Sequence, residues 1–102
     1  MKNVRPSFIQ ISLQNNPAVG DLTMVSVLRG AFHMSDDDAV AHIQKTRKEG
    51  SSVVYKSTND VCETKMSEVY EAQKNLAGVD SRAMSVRFVS APVPNDMLLR
   101  KA

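Results

Sequence analysis

Alternating apolar and polar positions predict strands near both ends of the chain. The pattern has a period of two from Ser7 to Leu13 and again from Ala83 to Val89, which is typical of half-buried strands. One face would carry Ile9, Ile11 and Leu13 in the first strand, and Met84, Val86 and Phe88 in the last. The β-branched run from Ser51 to Tyr55 predicts a third, short strand between them.

Apolar residues spaced three and four apart predict two further elements, both helices. One would begin at Asp21 as its cap and run to about Phe32, with a core stripe of Leu22, Val25, Leu28 and Phe32. The other would be capped by Thr58, Asn59 or Asp60 and run to about Ala77. Its stripe would be Cys62, Met66, Val69, Gln73 and Leu76.

A helix between these two is predicted from its end signals. Ser35 is a favourable N-cap, and Asp38 stands three residues later in the position of a capping box. Acidic residues 36–38 suit the positive N-terminal end of the helix dipole, and Gly50 suits the left-handed position after its C-terminus. Three basic residues suit its negative C-terminal end: Lys45, Arg47 and Lys48.

The resulting order, β-α-α-β-α-β, predicts an α+β fold with one small sheet and three helices packed on it. The domain would span residues 7–90, preceded by a flexible segment, residues 1–6. Residues 91–102 would form a loose tail, because Pro92 and Pro94 cannot donate hydrogen bonds inside a sheet.

Composition narrows the function classes. The 102 residues are 42% hydrophobic and 24% charged, as expected for one globular domain. A net charge of +2 is small for a nucleic-acid-binding protein, and the basic cluster at 45–48 already fits a helix end. No apolar run reaches the ~20 residues of a membrane span. A single cysteine and no apolar leader favour the cytoplasm.

Catalytic and metal-binding patterns are not found in the sequence. Cys62 falls on a predicted core stripe, and His33 and His42 have no evident third group for a triad. Consecutive acids 36–38 would diverge around their helix and could not share one ion. We therefore expect no enzymatic activity, no metal and no cofactor. A cysteine hydrolase built on Cys62 is the least favoured alternative.

Two stretches resemble the ClpS family, the adaptors that bind the N-terminal domain of Clp unfoldases. They are Val27-Leu28-Arg29-Gly30-Ala31-Phe32-His33-Met34-Ser35 followed by Asp36-Asp37-Asp38-Ala39, and Val61-Cys62-Glu63-Thr64-Lys65-Met66-Ser67-Glu68-Val69. Glu49-Gly50 falls at the family's glycine turn, and the register holds without gaps from Ser7 to about Ala77. The resemblance implies the β-α-α-β-α-β fold with a small antiparallel sheet.

The resemblance also implies a substrate pocket, which this sequence alters. In ClpS an Asn-Asp-Asp run in the first loop and a His ending the second helix hold the free α-amino group of an N-degron. Matching positions here are Asn15, Asn16, Pro17 and Arg47; Asp21 replaces the usual guarding Met, while Met24 and Ile43 remain apolar wall residues. Because both acids and the His are replaced, we expect ordinary N-degron recognition to be lost or altered.

Three arrangements of the altered pocket are possible from the sequence. Arg47 could pair with Asp21 and close the pocket, it could select an anionic ligand, or both side chains could point into solvent. The three arrangements differ in whether the pocket could bind a peptide or protein cargo, and in the charge of that cargo.

A second surface would be retained. The resemblance implies that Asp60, Glu63 and Lys65 contact the unfoldase N-domain, although charges in a first helical turn also suit the dipole without any partner.

The expected function is a non-enzymatic adaptor or regulator that docks on a Clp-type unfoldase and changes its substrate choice. The main alternative is an interaction domain like that of the ribosomal stalk, which would bind a translation factor. Nucleic-acid binding through the basic cluster is a third.

Overall fold

The computed structural model describes residues 8–93, and it confirms the α+β fold and the predicted element order. The elements are β1 (Phe8–Gln14), α1 (Asp21–Phe32), α2 (Asp36–Glu49), β2 (Ser51–Thr58), α3 (Asn59–Ala77), a 3₁₀-helix (Ser81–Ser85) and β3 (Arg87–Pro92). The flexible segment predicted for residues 1–6 lies outside the described residues.

The first strand of the described residues, β1, is the central strand of the sheet. The strand order is β2-β1-β3, and both pairs are antiparallel. Leu13 lies opposite Ser52 on one side and Phe88 on the other, so these three residues share a face. Ile11 and Leu13 are fully buried, as the alternation predicts. Pairing of Phe8 with Thr58 extends β2 three residues beyond the predicted end at Tyr55.

The main core joins this inner sheet face to α1 and α2. Its buried residues are Leu13, Val19, Met24, Val27, Leu28, Ala39, Ile43, Ala83 and Val86. The predicted stripe of α1 is wrong at its first position, because Leu22 is 83% exposed while Thr23 and Met24 are buried. Since α1 packs against both α2 and α3, its buried face is centred on positions 24, 27, 28 and 31. Gly20, and not Asp21, is the N-cap of α1.

The end signals of α2 have the predicted geometry. The Oγ of Ser35 accepts the N–H of Asp38 at 3.2 Å. The N–H of Gly50 donates to the carbonyl of Thr46 at 2.8 Å, and Gly50 has a φ of 94°. A side chain at this position would be strained, so the glycine fixes the tight turn from α2 into β2.

The core stripe of α3 is confirmed, including its polar member. Cys62, Val69 and Gln73 are buried on one face of the helix. The Nε2 of Gln73 donates to the carbonyls of Ala83 and Val86 at 2.9 and 2.7 Å. The buried amide therefore connects α3 to the segment that leads into β3.

The strand predicted from Ala83 is wrong in its first half, where the chain forms the 3₁₀-helix. Asp80 caps this helix by accepting the N–H of Arg82 at 3.0 Å, and it also accepts the hydroxyl of Thr23 in α1. Together with the hydrogen bonds of Gln73, these contacts favour the 3₁₀-helix over the strand that the alternating pattern predicts. Met84, predicted to face the core, is 43% exposed, whereas Ala83 is fully buried.

The loose tail predicted from residue 91 is also wrong over its first three residues. Ala91 and Pro92 belong to β3 opposite Gln10 and Ile9. Val93 is 8% exposed, and its N–H donates to the carbonyl of Phe8 at 2.9 Å. Pro92 is tolerated because it ends a strand at the sheet edge. The predicted tail from Pro94 onward lies outside the described residues.

Candidate functional site

Arg47 in the last turn of α2 reaches across to the loop between β1 and α1. Its Nε and Nη2 donate to Oδ1 of Asp21 at 3.1 and 2.8 Å. Its Nη1 donates to Oδ1 of Asn15 at 2.8 Å and to the carbonyl of Asn16 at 3.0 Å. Nη2 also donates to the carbonyl of Val19 at 2.6 Å. We call Arg47 and these four partners the Arg47 site.

The donor capacity of the guanidinium is fully used in this arrangement. A guanidinium has five N–H groups, and the Arg47 site supplies five acceptor contacts. An anionic ligand would have to displace one of them. Of the three arrangements open from the sequence, the structure has the ion pair with Asp21, with the Arg47 side chain 29% exposed.

The loop that receives Arg47 is held in place at several points. The Oδ1 of Asn16 accepts the N–H of Ala18 at 3.0 Å, and its Nδ2 donates to the carbonyl of Ser85 at 3.0 Å. The N–H of Asn15 donates to the carbonyl of Gly50 at 3.0 Å. Pro17 is exposed and has no N–H to offer. The loop is therefore tied to both the end of α2 and the 3₁₀-helix.

The two predicted wall residues lie in the hydrophobic core. Met24 is fully buried and Ile43 is 2% exposed, and both belong to the main core cluster. Thr46, one residue before Arg47, is also fully buried. The structure therefore brings Asn15, Asn16, Asp21 and Arg47 together, while Met24 and Ile43 belong to the buried core.

Of the three predicted partner-binding residues, two share an exposed surface. Asp60 and Glu63 are exposed in the first turns of α3, and their spacing of three places them on the same side of the helix. Lys65 is directed into the fold and its side chain is only 13% exposed.

The ammonium group of Lys65 has several intramolecular partners. Its Nζ donates to the carbonyl of Ala31, near the end of α1, at 3.0 Å and to Oε1 of Glu68 at 2.8 Å. It also lies 5.7 and 5.4 Å from the ring centroids of Phe32 and Tyr55. The hydrogen bond and charge of Lys65 hold the pKa of Glu68 below its ordinary value of 4.5. Lys65 therefore links α3 to the C-terminal end of α1.

The candidate catalytic side chains do not form a reactive centre. Cys62 is 2% exposed, and its Sγ donates to the carbonyl of Ile9 at 3.5 Å. Nδ1 of His42 lies 2.8 Å from Oγ of Ser52, which is a buried residue. His33 is exposed at the corner after α1. Within residues 8–93 no three His, Cys, Asp or Glu side chains are placed to hold a metal ion.

Sequence reasoning missed the partners that lie far away in the chain. The carbonyls of Asn16 and Val19 complete the Arg47 site, but backbone carbonyls carry no residue-type signal. The contact between His42 and Ser52 joins α2 to β2 across ten residues without any motif.

Among the helices of residues 8–93, none is long and apolar enough to cross a membrane.

Comparisons with known proteins agree with this architecture. The sequence profile of the family described as "ATP-dependent Clp protease adaptor protein ClpS" matches residues 22–81. The structure of Agrobacterium tumefaciens ClpS2 bound to L-phenylalaninamide superposes with a TM-score of 0.72 and 25% sequence identity, covering 87% of this chain and 100% of that chain. No curated protein sequence matches the chain. Because the family profile covers more than half of its length, the chain belongs to the ClpS family of Clp protease adaptor proteins.

Proposed function

We propose that the protein docks on the N-terminal domain of a Clp-type unfoldase and changes which substrates are degraded, with ordinary N-degron binding lost. The observation that carries this proposal is the Arg47 site. By the resemblance to ClpS, three of its residues, Asn15, Asn16 and Arg47, stand where the family holds the α-amino group of a substrate. In this chain a guanidinium of the same protein already uses those acceptors.

The electrostatics oppose a second cation at this position. L-phenylalaninamide, the compound bound to ClpS2, has a free α-amino group that is protonated near neutral pH. Two unit charges ~4 Å apart repel by roughly 4 kcal/mol at an effective dielectric constant near 20. The one carboxylate of the Arg47 site, that of Asp21, already has its charge balanced by Arg47. We therefore expect that N-degron affinity is lost.

The apolar side chain of an N-degron would also need space. The corresponding wall residues, Met24 and Ile43, are buried in the core. Opening a cavity between them would break packing contacts, which costs free energy that a ligand would have to supply. Packing and charge therefore both oppose the binding of an N-degron.

The docking surface that we propose consists of the exposed carboxylates of Asp60 and Glu63. They lie on α3, which contributes no residue to the Arg47 site. Docking and occupation of the substrate pocket are therefore separable. A protein that docks without reading N-degrons would redirect or inhibit the unfoldase, or deliver a different peptide or protein cargo.

A calorimetric titration against purified Clp unfoldase N-domains tests the docking. We expect binding by the wild type and a loss of about tenfold or more in affinity for Asp60→Asn/Glu63→Gln, since charged contacts contribute roughly 1.5–3 kcal/mol each when desolvated. Glu71→Gln, an exposed residue further along the same helix, is the matched control and should bind like wild type. If none of the N-domains gives heat of binding, the stalk-like alternative is favoured, with a translation factor as partner.

The proposed loss of N-degron binding has a separate test. Peptides that begin with Leu, Phe or Tyr should show no saturable binding up to about millimolar concentration. A dissociation constant in that range corresponds to a binding free energy of about −4 kcal/mol. Micromolar binding of any of them would contradict the proposal for the Arg47 site and leave the docking proposal intact.

A further inference from the structure

Two clefts meet at Arg87, the first residue of β3. One cleft lies between the β1–α1 loop and the 3₁₀-helix, has a volume of about 440 Å³, and is lined by Asn15, Asn16, Pro17, Met84, Ser85 and Arg87. The other, also about 440 Å³, is lined by Gln14, Asn15, Arg87, Phe88 and Val89. Asn15 and Arg87 line both clefts, so polar donors stand at their junction.

The charge at this junction has no counter-ion within residues 8–93. None of the ion pairs in that range includes Arg87. Every Asp and Glu of the same range lies in α1, α2 or α3, or is Asp80, which caps the 3₁₀-helix. The strands carry only two charged residues, Lys56 and Arg87. An exposed guanidinium in such surroundings favours an anionic ligand.

The side chain of Asn15 is oriented by the Arg47 site. Its Oδ1 accepts from Nη1 of Arg47 at 2.8 Å, so its NH₂ group is directed away from Arg47. This residue also lines both clefts beside Arg87. An amide NH₂ and a guanidinium together can donate to both oxygens of one carboxylate.

Apolar groups lie on either side of these donors. Met84 is 43% exposed in the first cleft, and Val89 is 49% exposed in the second. A ligand that satisfies both clefts would therefore carry a carboxylate with apolar groups on two sides of it. A C-terminal residue has this form, because its carboxylate and its side chain branch from one Cα and the preceding residue continues on the other side.

We propose that the clefts at Arg87 bind the C-terminal residue of a peptide, with its carboxylate on Arg87 and Asn15. An apolar side chain would lie beside Met84, and the preceding residue would lie along Val89. This site is separate from the docking surface on α3, but it shares Asn15 with the Arg47 site, so it rests in part on the same arrangement as the proposed loss of N-degron binding. The chain would therefore recognise the negatively charged end of a peptide, whereas an N-degron presents a positively charged ammonium.

Calorimetry with the full chain and short acetylated peptides tests this site. Acetyl-Gly-Gly-Ala-Leu with a free carboxylate should bind about tenfold more tightly than the same peptide as its C-terminal amide, because one charge-assisted pair is lost. Arg87→Gln should lose about the same factor toward the free acid. Arg82→Gln, an exposed arginine of the 3₁₀-helix that lines neither cleft, is the matched control and should bind like wild type.

With the free acid and its amide, three results would overturn the proposal. They are equal binding of the acid and the amide, unchanged binding of the acid by Arg87→Gln, and no saturable binding of the acid by wild type. A third peptide, acetyl-Gly-Asp-Ala-amide, separates the carboxylate sources: binding of this peptide as tight as that of the free acid would assign the site to acidic side chains and contradict C-terminal recognition. Circular dichroism of both variants should match wild type, since Arg82 and Arg87 are exposed.

Discussion

Arg47 of α2 and Asp21 of α1 form an ion pair in which two guanidinium nitrogens contact the same carboxylate oxygen, at 3.1 and 2.8 Å. The Asp21 side chain is 67% exposed, so the charge attraction alone contributes little to stability. Arg47 also satisfies the carbonyls of Asn16 and Val19. The two residues of the pair therefore differ in their importance for the fold.

Arg47→Ala should destabilise the protein more than Asp21→Asn does. The first change removes the donors of two backbone carbonyls and should lower the free energy of unfolding by about 1–3 kcal/mol. The second leaves those contacts in place and should cost less than about 1 kcal/mol. Urea unfolding of both variants measures the difference. Lys48→Ala, an exposed neighbour on the same helix, should change stability by less than about 0.5 kcal/mol.

Equal losses for Arg47→Ala and Asp21→Asn would show that the carbonyl contacts contribute nothing. An effect of Lys48→Ala as large as that of Arg47→Ala would instead point to helix propensity or net charge as the cause.

Replacing the altered residues by those of the family should restore binding of an N-terminal ammonium. The variant Asn16→Asp/Pro17→Asp/Arg47→His adds two acids and removes the guanidinium that occupies the site. A peptide beginning with Phe should then bind at least about tenfold more tightly than it binds wild type, because unlike charges replace like charges. Fluorescence anisotropy with the labelled peptide measures the affinity.

An acetylated copy of that peptide is the control and should bind neither protein. If the triple variant folds and still does not bind, the dominant obstacle is one that the variant keeps, either Asp21 or the buried walls at Met24 and Ile43, and the charge exchange is secondary.

Local signals allowed the helices of this fold to be predicted, whereas long-range contacts decided where prediction was wrong. Ser35 and Gly50 act within their own helix, so their roles follow from nearby residues. The segment 81–85 alternates like a strand, but Asp80 and Gln73 determine its conformation. In the Arg47 site the sequence left the pair with Asp21 as one of three possible arrangements, and the carbonyl acceptors could be known only from the folded loop.

Gln73→Met should be strongly destabilising even though it makes the core more apolar. The substitution keeps a similar side-chain shape but leaves the carbonyls of Ala83 and Val86 without their donor. An unsatisfied buried polar group costs about 1–3 kcal/mol, so we expect a loss of about 2–4 kcal/mol in the free energy of unfolding. Gln44→Met on the exposed side of α2 is the matched control. A Gln73→Met variant as stable as wild type would show that those carbonyls find other partners.

Acid should destabilise the protein partly through Asp80. Its hydrogen bond from Thr23, followed by that from the N–H of Arg82, holds the pKa of Asp80 below its ordinary value of 3.8. A carboxyl with a lowered folded pKa contributes stability that is present above the unfolded value and is lost as pH falls through the folded value. Asp80→Asn and Thr23→Val should both reduce the stability lost between about pH 5 and about pH 2.

The urea midpoint as a function of pH measures this effect. Some acid sensitivity should remain in both variants, because the pKa of Glu68 is also lowered by Lys65. A pH profile of either variant parallel to that of wild type would rule out the contribution of Asp80.

The position of β1 between β2 and β3 has a consequence for synthesis of the chain. During translation β1 emerges before β2 and β3, yet one of its hydrogen-bonding edges cannot be covered until β3 leaves the ribosome, more than 70 residues later. The nascent chain must therefore complete its sheet after most of the domain has been made, and until then the open edge of β1 is available to pair with other strands.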